Sequence, residues 1–277
     1  MKRLLSLAFA TLLSAPAFCA DYVITTAKHT DATKGGMPGT PPAQPAKDST
    51  SITWIGKDHM RIEDGSNVTI VRADLKRVFM IDTKAQTYST IDLPVDLKKY
   101  IPAEYAPMVE QMMGQVKVTV TPTAETKKIK DWNATKYTVV TVLPMGGSIT
   151  QDVWATKDIA LDAALWRDMM GTLQTLNPMG GSAMAAEMKK IEGVQIVMER
   201  TQTMMGSELK SKDEVTSIEQ KEPAEGLYDV PKDFKEKPYD PMAGGMGPRP
   251  KGGHGGGGMG GGGMGGDRGG PPPHGGG

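Results

Sequence analysis

Between residues 52 and 91 the chain reverses every few residues, and that spacing decides what it can pair with. Short runs rich in β-branched and apolar residues occupy 52–55, 60–62, 68–72, 78–81 and 88–91, with no more than six residues between neighbours. A parallel strand pair needs a crossover of about a dozen residues or more. These runs can therefore only form an antiparallel meander. The segment 61–93 contains no histidine, no cysteine and no glycine loop able to cradle a phosphate. Its contribution is a surface and a shape.

The two ends of the chain differ from this middle. Lys2 and Arg3 precede an apolar run at 4–13 and then small residues, the order of a secretory signal peptide. The run is shorter than the roughly 20 apolar residues that span a bilayer, and no later segment is long and apolar enough either. Ala15-Pro16-Ala17 would leave Phe18 as the new N-terminus, whereas Phe18-Cys19-Ala20 would leave Asp21. Cys19 is the one cysteine of the chain, and bulky Phe18 before it disfavours lipidation. Cleavage after Ala20 removes it, and with it any disulfide or thiolate chemistry. At the other end, 241–277 holds 20 of the 34 glycines. It has too little apolar surface to offset the entropy of ordering, which predicts a disordered Gly/Pro-rich tail. The expected organisation is a signal peptide at 1–20, one domain at 21–240 and the tail at 241–277. Signal and tail together carry five Lys or Arg and one Asp, so the domain keeps 27 basic and 31 acidic residues. That balance gives no basic patch for nucleic acid.

Within the domain, 22–27 reads as a first strand and 30–49, with its prolines and glycines, as a long loop. After the meander, Tyr105, Met108, Val109, Met112 and Met113 fall at helical spacing on one stripe, with Pro107 in the first turn and Gly114 as a C-cap. A second group of strands is expected at 116–120, 136–143 and 148–155. Helices follow at 161–176, with Leu161, Leu165, Met169, Thr172 or Leu173, and Leu176 inward, and at 183–191. Two long strands at 194–203 and 208–219 and an extended segment at 227–231 close the domain. Helices set apart from an antiparallel sheet make the class α+β.

Three stretches resemble a known family: "HMRIEDGSNVTIVRADLKRVFMIDTKAQTYSTID", "KKIKDWNATKYTVV" and "DEVTSIEQKEPAEGLYDVPKDFK". Arg61, Tyr88, Trp132 with Tyr137, the run 215–218, Tyr228 and Pro231 carry the likeness. The pattern is similar to a bacterial family of exported domains of unknown function that groups with the lipoprotein carriers LolA and LolB. The resemblance implies a LolA-like open half-barrel, a curved antiparallel sheet with helices over its concave face. It implies nothing about lipoprotein transfer.

Catalytic signatures are missing. Ser207-Glu208-Leu209-Lys210 matches S-x-x-K but lacks partner motifs and a helix start. His29 and His59 stand alone in the sequence. The unusual count is methionine, 20 residues, several of them in the helices. Methionine is flexible and polarizable and recurs on surfaces that accept varied apolar ligands. The candidate ligand-binding residues are therefore Tyr105, Met108, Met112, Met113, Trp166, Met169, Leu173 and Met188. No catalytic residue, cofactor or domain metal ligand is assigned. The expected function is a periplasmic, non-enzymatic protein holding a lipid, a lipidated protein or another apolar ligand. The alternative is an envelope structural or copper-handling protein acting through Met242, Met246, His254, Met259, Met264 and His274 of the tail, since thioether and imidazole suit copper.

Overall fold

Twelve strands form one open sheet in a computed structural model that describes residues 20–33, 43–177, 181–204 and 207–241. The described residues lie within one compact unit. Residues 1–19 and 242–277, which hold nearly all of the expected signal segment and tail and the six candidate copper ligands, lie outside the described residues. The first meander comprises β1 (Asp21–Thr30), β2 (Lys47–Ile55), β3 (His59–Asp64), β4 (Asn67–Arg72), β5 (Arg77–Asp82) and β6 (Thr87–Asp92). A short 3-10 turn at Leu97–Tyr100 and helix α1 (Ala106–Gln115) follow. The second group is β7 (Lys117–Ile129), β8 (Trp132–Val142), β9 (Ser148–Thr156), helices α2 (Ala163–Thr175) and α3 (Gly181–Met188), then β10 (Val194–Met204) and β11 (Ser207–Lys221). A two-residue strand, β12 (Lys235–Glu236), ends the described fold.

The strand order is β12-β6-β5-β4-β3-β2-β1-β11-β10-β9-β8-β7. Every pairing is antiparallel except the short β12–β6 contact. The sheet does not close, because β7 and β12 are its two edges. The class is thus α+β with a large open antiparallel sheet. The seam is β1, which pairs with β2 on one side and with β11, some 190 residues later, on the other. Among the strand pairings, this seam joins the two halves of the chain, together with the short β12–β6 contact.

Each strand of the first meander alternates faces, as a pleat requires. Met60, Val71, Val78 and Ile91 point to the main core, which they share with Ile24, Ile55, Trp154, Val194 and Ile196 and with Trp166 and Met169 of α2. Val68, Ile70 and Ile81 point the other way, where Tyr228, Val230 and Phe234 of the closing segment cover them. That segment does not run as the extended piece expected at 227–231. It turns at 225–229, crosses the face of β4–β6, and pairs with β6 through Lys235. A face with apolar residues on both sides of its strands must be covered twice, and this chain uses helices on one side and its own C-terminal segment on the other.

Strand limits mostly match the periodicity, with two differences of substance. β7 continues through Thr121–Ile129, a polar stretch containing Pro122, where no strand was expected. It sits at the sheet edge, where a missing N–H costs no ladder bond, and the register slips between Pro122 and Thr126. The expected loop at 30–49 is shorter, because β1 runs to Thr30, β2 starts at Lys47, and Thr33 bridges Gln44.

Candidate ligand site between the helices and the sheet

α2 is started by Asp162, whose side chain accepts hydrogen bonds from Ala164 N at 2.7 Å and Leu165 N at 3.3 Å. This cap supplies acceptors for two of the helix's unpaired N–H groups. It sets the rotation that turns Trp166 and Met169 into the core, 6 % and 5 % exposed. α3 follows through Gly181, whose N–H donates to Asn177 O at 3.0 Å, and it lies beside α2. Met184 and Met188 of α3 pack on Val139, Val153 and Ala155 of the sheet. Glu187 fastens α3 to the edge, because its Oε2 accepts from Val120 N at 3.0 Å. Lys190 chiefly, and that N–H next, hold the Glu187 carboxyl below its ordinary range.

Between α2, α3 and the start of β10 is a cavity of about 20 Å³ lined by Trp166, Met170, Gly171, Ala185, Met188 and Gln195. That is room for roughly one water. The indole Nε1 of Trp166 is buried and has no hydrogen-bond partner. Such a donor costs about 1–3 kcal/mol when unmet. The site is thus a small cleft of mixed lining, with Trp166, Met170 and Met188 on its apolar side and Arg167, Gln174, Lys189 and Gln195 on its polar side. Larger open grooves of about 370 Å³ beside Arg72 and Tyr88, and about 410 Å³ beside His29 and Lys212, lie elsewhere on the sheet. Their charged groups are already paired: Arg72 with Asp74 and Asp229, Lys212 with Glu214.

Of the eight candidate residues, Trp166 and Met188 meet at this cavity. Met169 and Leu173 lie in the main core beneath α2. The α1 residues are elsewhere. Tyr105 and Met108, expected inward, are 49 % and 47 % exposed. Met112 is half-buried, and Met113 packs with Leu97, Ile101 and Val109 in a separate cluster. The reason is local: Tyr105 is the N-cap of α1 rather than part of its stripe, and the preceding 3-10 turn offers Leu97 and Ile101 to Val109. Met170, which falls in the methionine-rich helix stripe, was not among the candidates, and neither were Gly171 and Gln195. A glycine inside a helix, beside the i, i+4 pair Trp166 and Met170, is the signal that marks a recess.

The histidines are not isolated. His29 of β1 lies against Asp48 at 2.6 Å and Asp31 at 3.1 Å. His59 of β3 shares Asp21 Oδ2 at 3.1 Å with the hydroxyl of Tyr228, which donates to it at 2.6 Å. Ser207–Lys210 opens a strand, not a helix. Among the described residues no group of three or more His, Cys, Asp or Glu is placed to hold a metal ion, and no helix is long and apolar enough to cross a membrane.

A family model for a domain of unknown function, DUF4412, matches residues 43–234. The chain belongs to this family. The match runs from just before β2 to Phe234, so the family unit takes in α1, α2, α3 and the closing segment as far as the ring that covers β5. Comparison with curated proteins gives no match.

Proposed function

We propose that this chain is an exported, periplasmic, non-enzymatic binding protein that takes a slender apolar guest between α2–α3 and the sheet. One observation carries the reading: the cavity between α2, α3 and β10 is lined by Met170, Met188 and Trp166, and the buried indole N–H of Trp166 has no partner in the protein. The cavity is small, so a guest enters by displacing side chains. Met170 and Met188 suit that role, because an unbranched thioether re-packs at little cost.

The test uses the mature chain and an uncharged probe, Nile red or dodecanol. Gly171 lines the cleft, and a Cβ built on it meets nothing within 4 Å. Gly171→Leu therefore plugs the site and, by replacing glycine in a helix, also favours α2. The wild type should bind at micromolar concentration and Gly171→Leu should not, with its thermal midpoint kept. Equal binding by the two proteins, or no binding by either, overturns the proposal.

A further inference from the structure

Met198 of β10 packs under α3 with Val139 and Val153, and two residues further on the same strand is Arg200. The ladder places Gln151 of β9 directly opposite Arg200, and Val139 of β8 opposite Gln151. Thr141, two residues along β8 from Val139, shares that face. This end of the apolar strip is therefore polar, and it is buried: Gln151 is 6 % and Thr141 3 % exposed.

Two of these groups have no partner. Arg200 Nε and Thr141 Oγ1 are both buried without a hydrogen bond. The guanidinium touches only a soft acceptor, Met198 Sδ at 3.4 Å from Nη2. Neighbouring carboxylates are committed elsewhere: Glu199 and Glu214 to Lys212, and Asp152 to Lys136. Asp213, which faces Met198 across the ladder, makes no ion pair with Arg200. Arg200 as a whole is half-buried, but its Nε is fully covered, and a buried donor without a partner in the protein is rare enough to call for a group that completes it.

We infer that Arg200, with Thr141 and Gln151, receives the acidic headgroup of the guest, so that the ligand is an anionic amphiphile. This rests on the cleft reading above. Its chain lies along Val139, Val153 and Met198 beneath α3, and its carboxylate or phosphate accepts from Arg200 Nε and Thr141 Oγ1. The run of β10 from Gln195, at the cleft, to Arg200 spans about 16 Å at the usual strand rise, a length suited to a single alkyl chain. The guanidinium fork fits either oxyanion.

Calorimetric titration of the mature chain with dodecanoate, dodecyl phosphate and dodecanol tests this. At least one anion should bind about tenfold or more tightly than the alcohol, the scale of a hydrogen bond to a charged group. Which anion does so distinguishes a fatty acid from a phospholipid source. Arg200→Met should erase that preference and leave dodecanol binding unchanged. It should also leave the ligand-free midpoint unchanged or raise it, because it deletes an unmet donor rather than a bond. Dodecanol binding as tightly as both anions overturns the headgroup site while the cleft stands. So does a lower midpoint in Arg200→Met, which would mark a structural arginine. Failure of all three ligands removes the cleft and the headgroup site together.

Discussion

Tyr228 ties the closing segment to the first residue of the sheet, and Tyr228→Phe isolates that tie. The phenylalanine ring keeps the stack on His59, with centroids 4.0 Å apart, and the contacts with Val68, Ile70 and Ile81. What goes is the 2.6 Å bond to Asp21 Oδ2. Asp21 is 4 % exposed, so its carboxylate regains little water and is left with His59 at 3.1 Å. A hydrogen bond to a charged group contributes about 1.5–3 kcal/mol. A loss of about 2 kcal/mol lowers the midpoint of a domain this size by about 4–8 °C. Burial first, and Asp21 second, also hold the phenol above its ordinary value of 10.0. The folded chain then keeps a proton that the unfolded chain releases. This contribution is complete below pH 10.0 and shrinks as pH rises above it, by about 1.4 kcal/mol per pH unit for one proton. Urea unfolding at neutral pH and through the alkaline range reads both effects. Tyr228→Phe should be less stable at neutral pH and should lose one proton's worth of the alkaline slope. A midpoint within about 1 °C of wild type, or an unchanged slope, refutes the argument.

Other expectations follow from single positions. Gly193 has φ +95° and its Cβ would collide with the carbonyl of Thr156, so Gly193→Ala should cost more than about 1–3 kcal/mol in chemical denaturation. Gly114 lies inside α1 with nothing within 4 Å of a built Cβ, and Gly114→Ala should instead stabilise by about 0.5–1 kcal/mol. Met60 is 0 % exposed in the main core, and Met60→Ala should cost about 2–5 kcal/mol. The hydrogen bond that His29 donates to Asp48, opposed by desolvation and helped by Asp31, raises the pKa of His29 above 6.5. The stabilisation is therefore present below pH 6.5 and lost as pH climbs through the raised value, and Asp48→Asn should bring the His29 titration, followed by NMR, back down.

The local structure of this protein was written in short-range patterns. Alternation at 68–72 and 78–81 and the turns between them specify a meander, because a strand's faces repeat every two residues and a short connection leaves only the antiparallel partner. The apolar stripe of α2 was legible in the same way, whereas its start was not, since the helix begins after the Asp162 cap rather than at 161. Where a pattern is weak, position in the sheet decided instead. Residues 121–129 are polar and include Pro122, yet they are a strand because β8 offers a ladder and the open edge tolerates a missing donor. The outward turn of Tyr105 and Met108 depended on which apolar residues the preceding turn presented to α1. The most consequential pairings join residues far apart in the chain. Asp21 meets Tyr228 across 207 positions, and β1 meets β11 to join the halves. The Nε of Arg200 could not be recognised as an unpartnered donor until the ladder fixed what lay within its reach. Local periodicity carries information about which face a residue takes. Which residue stands opposite it, and whether a buried donor finds an acceptor, is set only when distant segments are brought together by burial of both faces of the sheet.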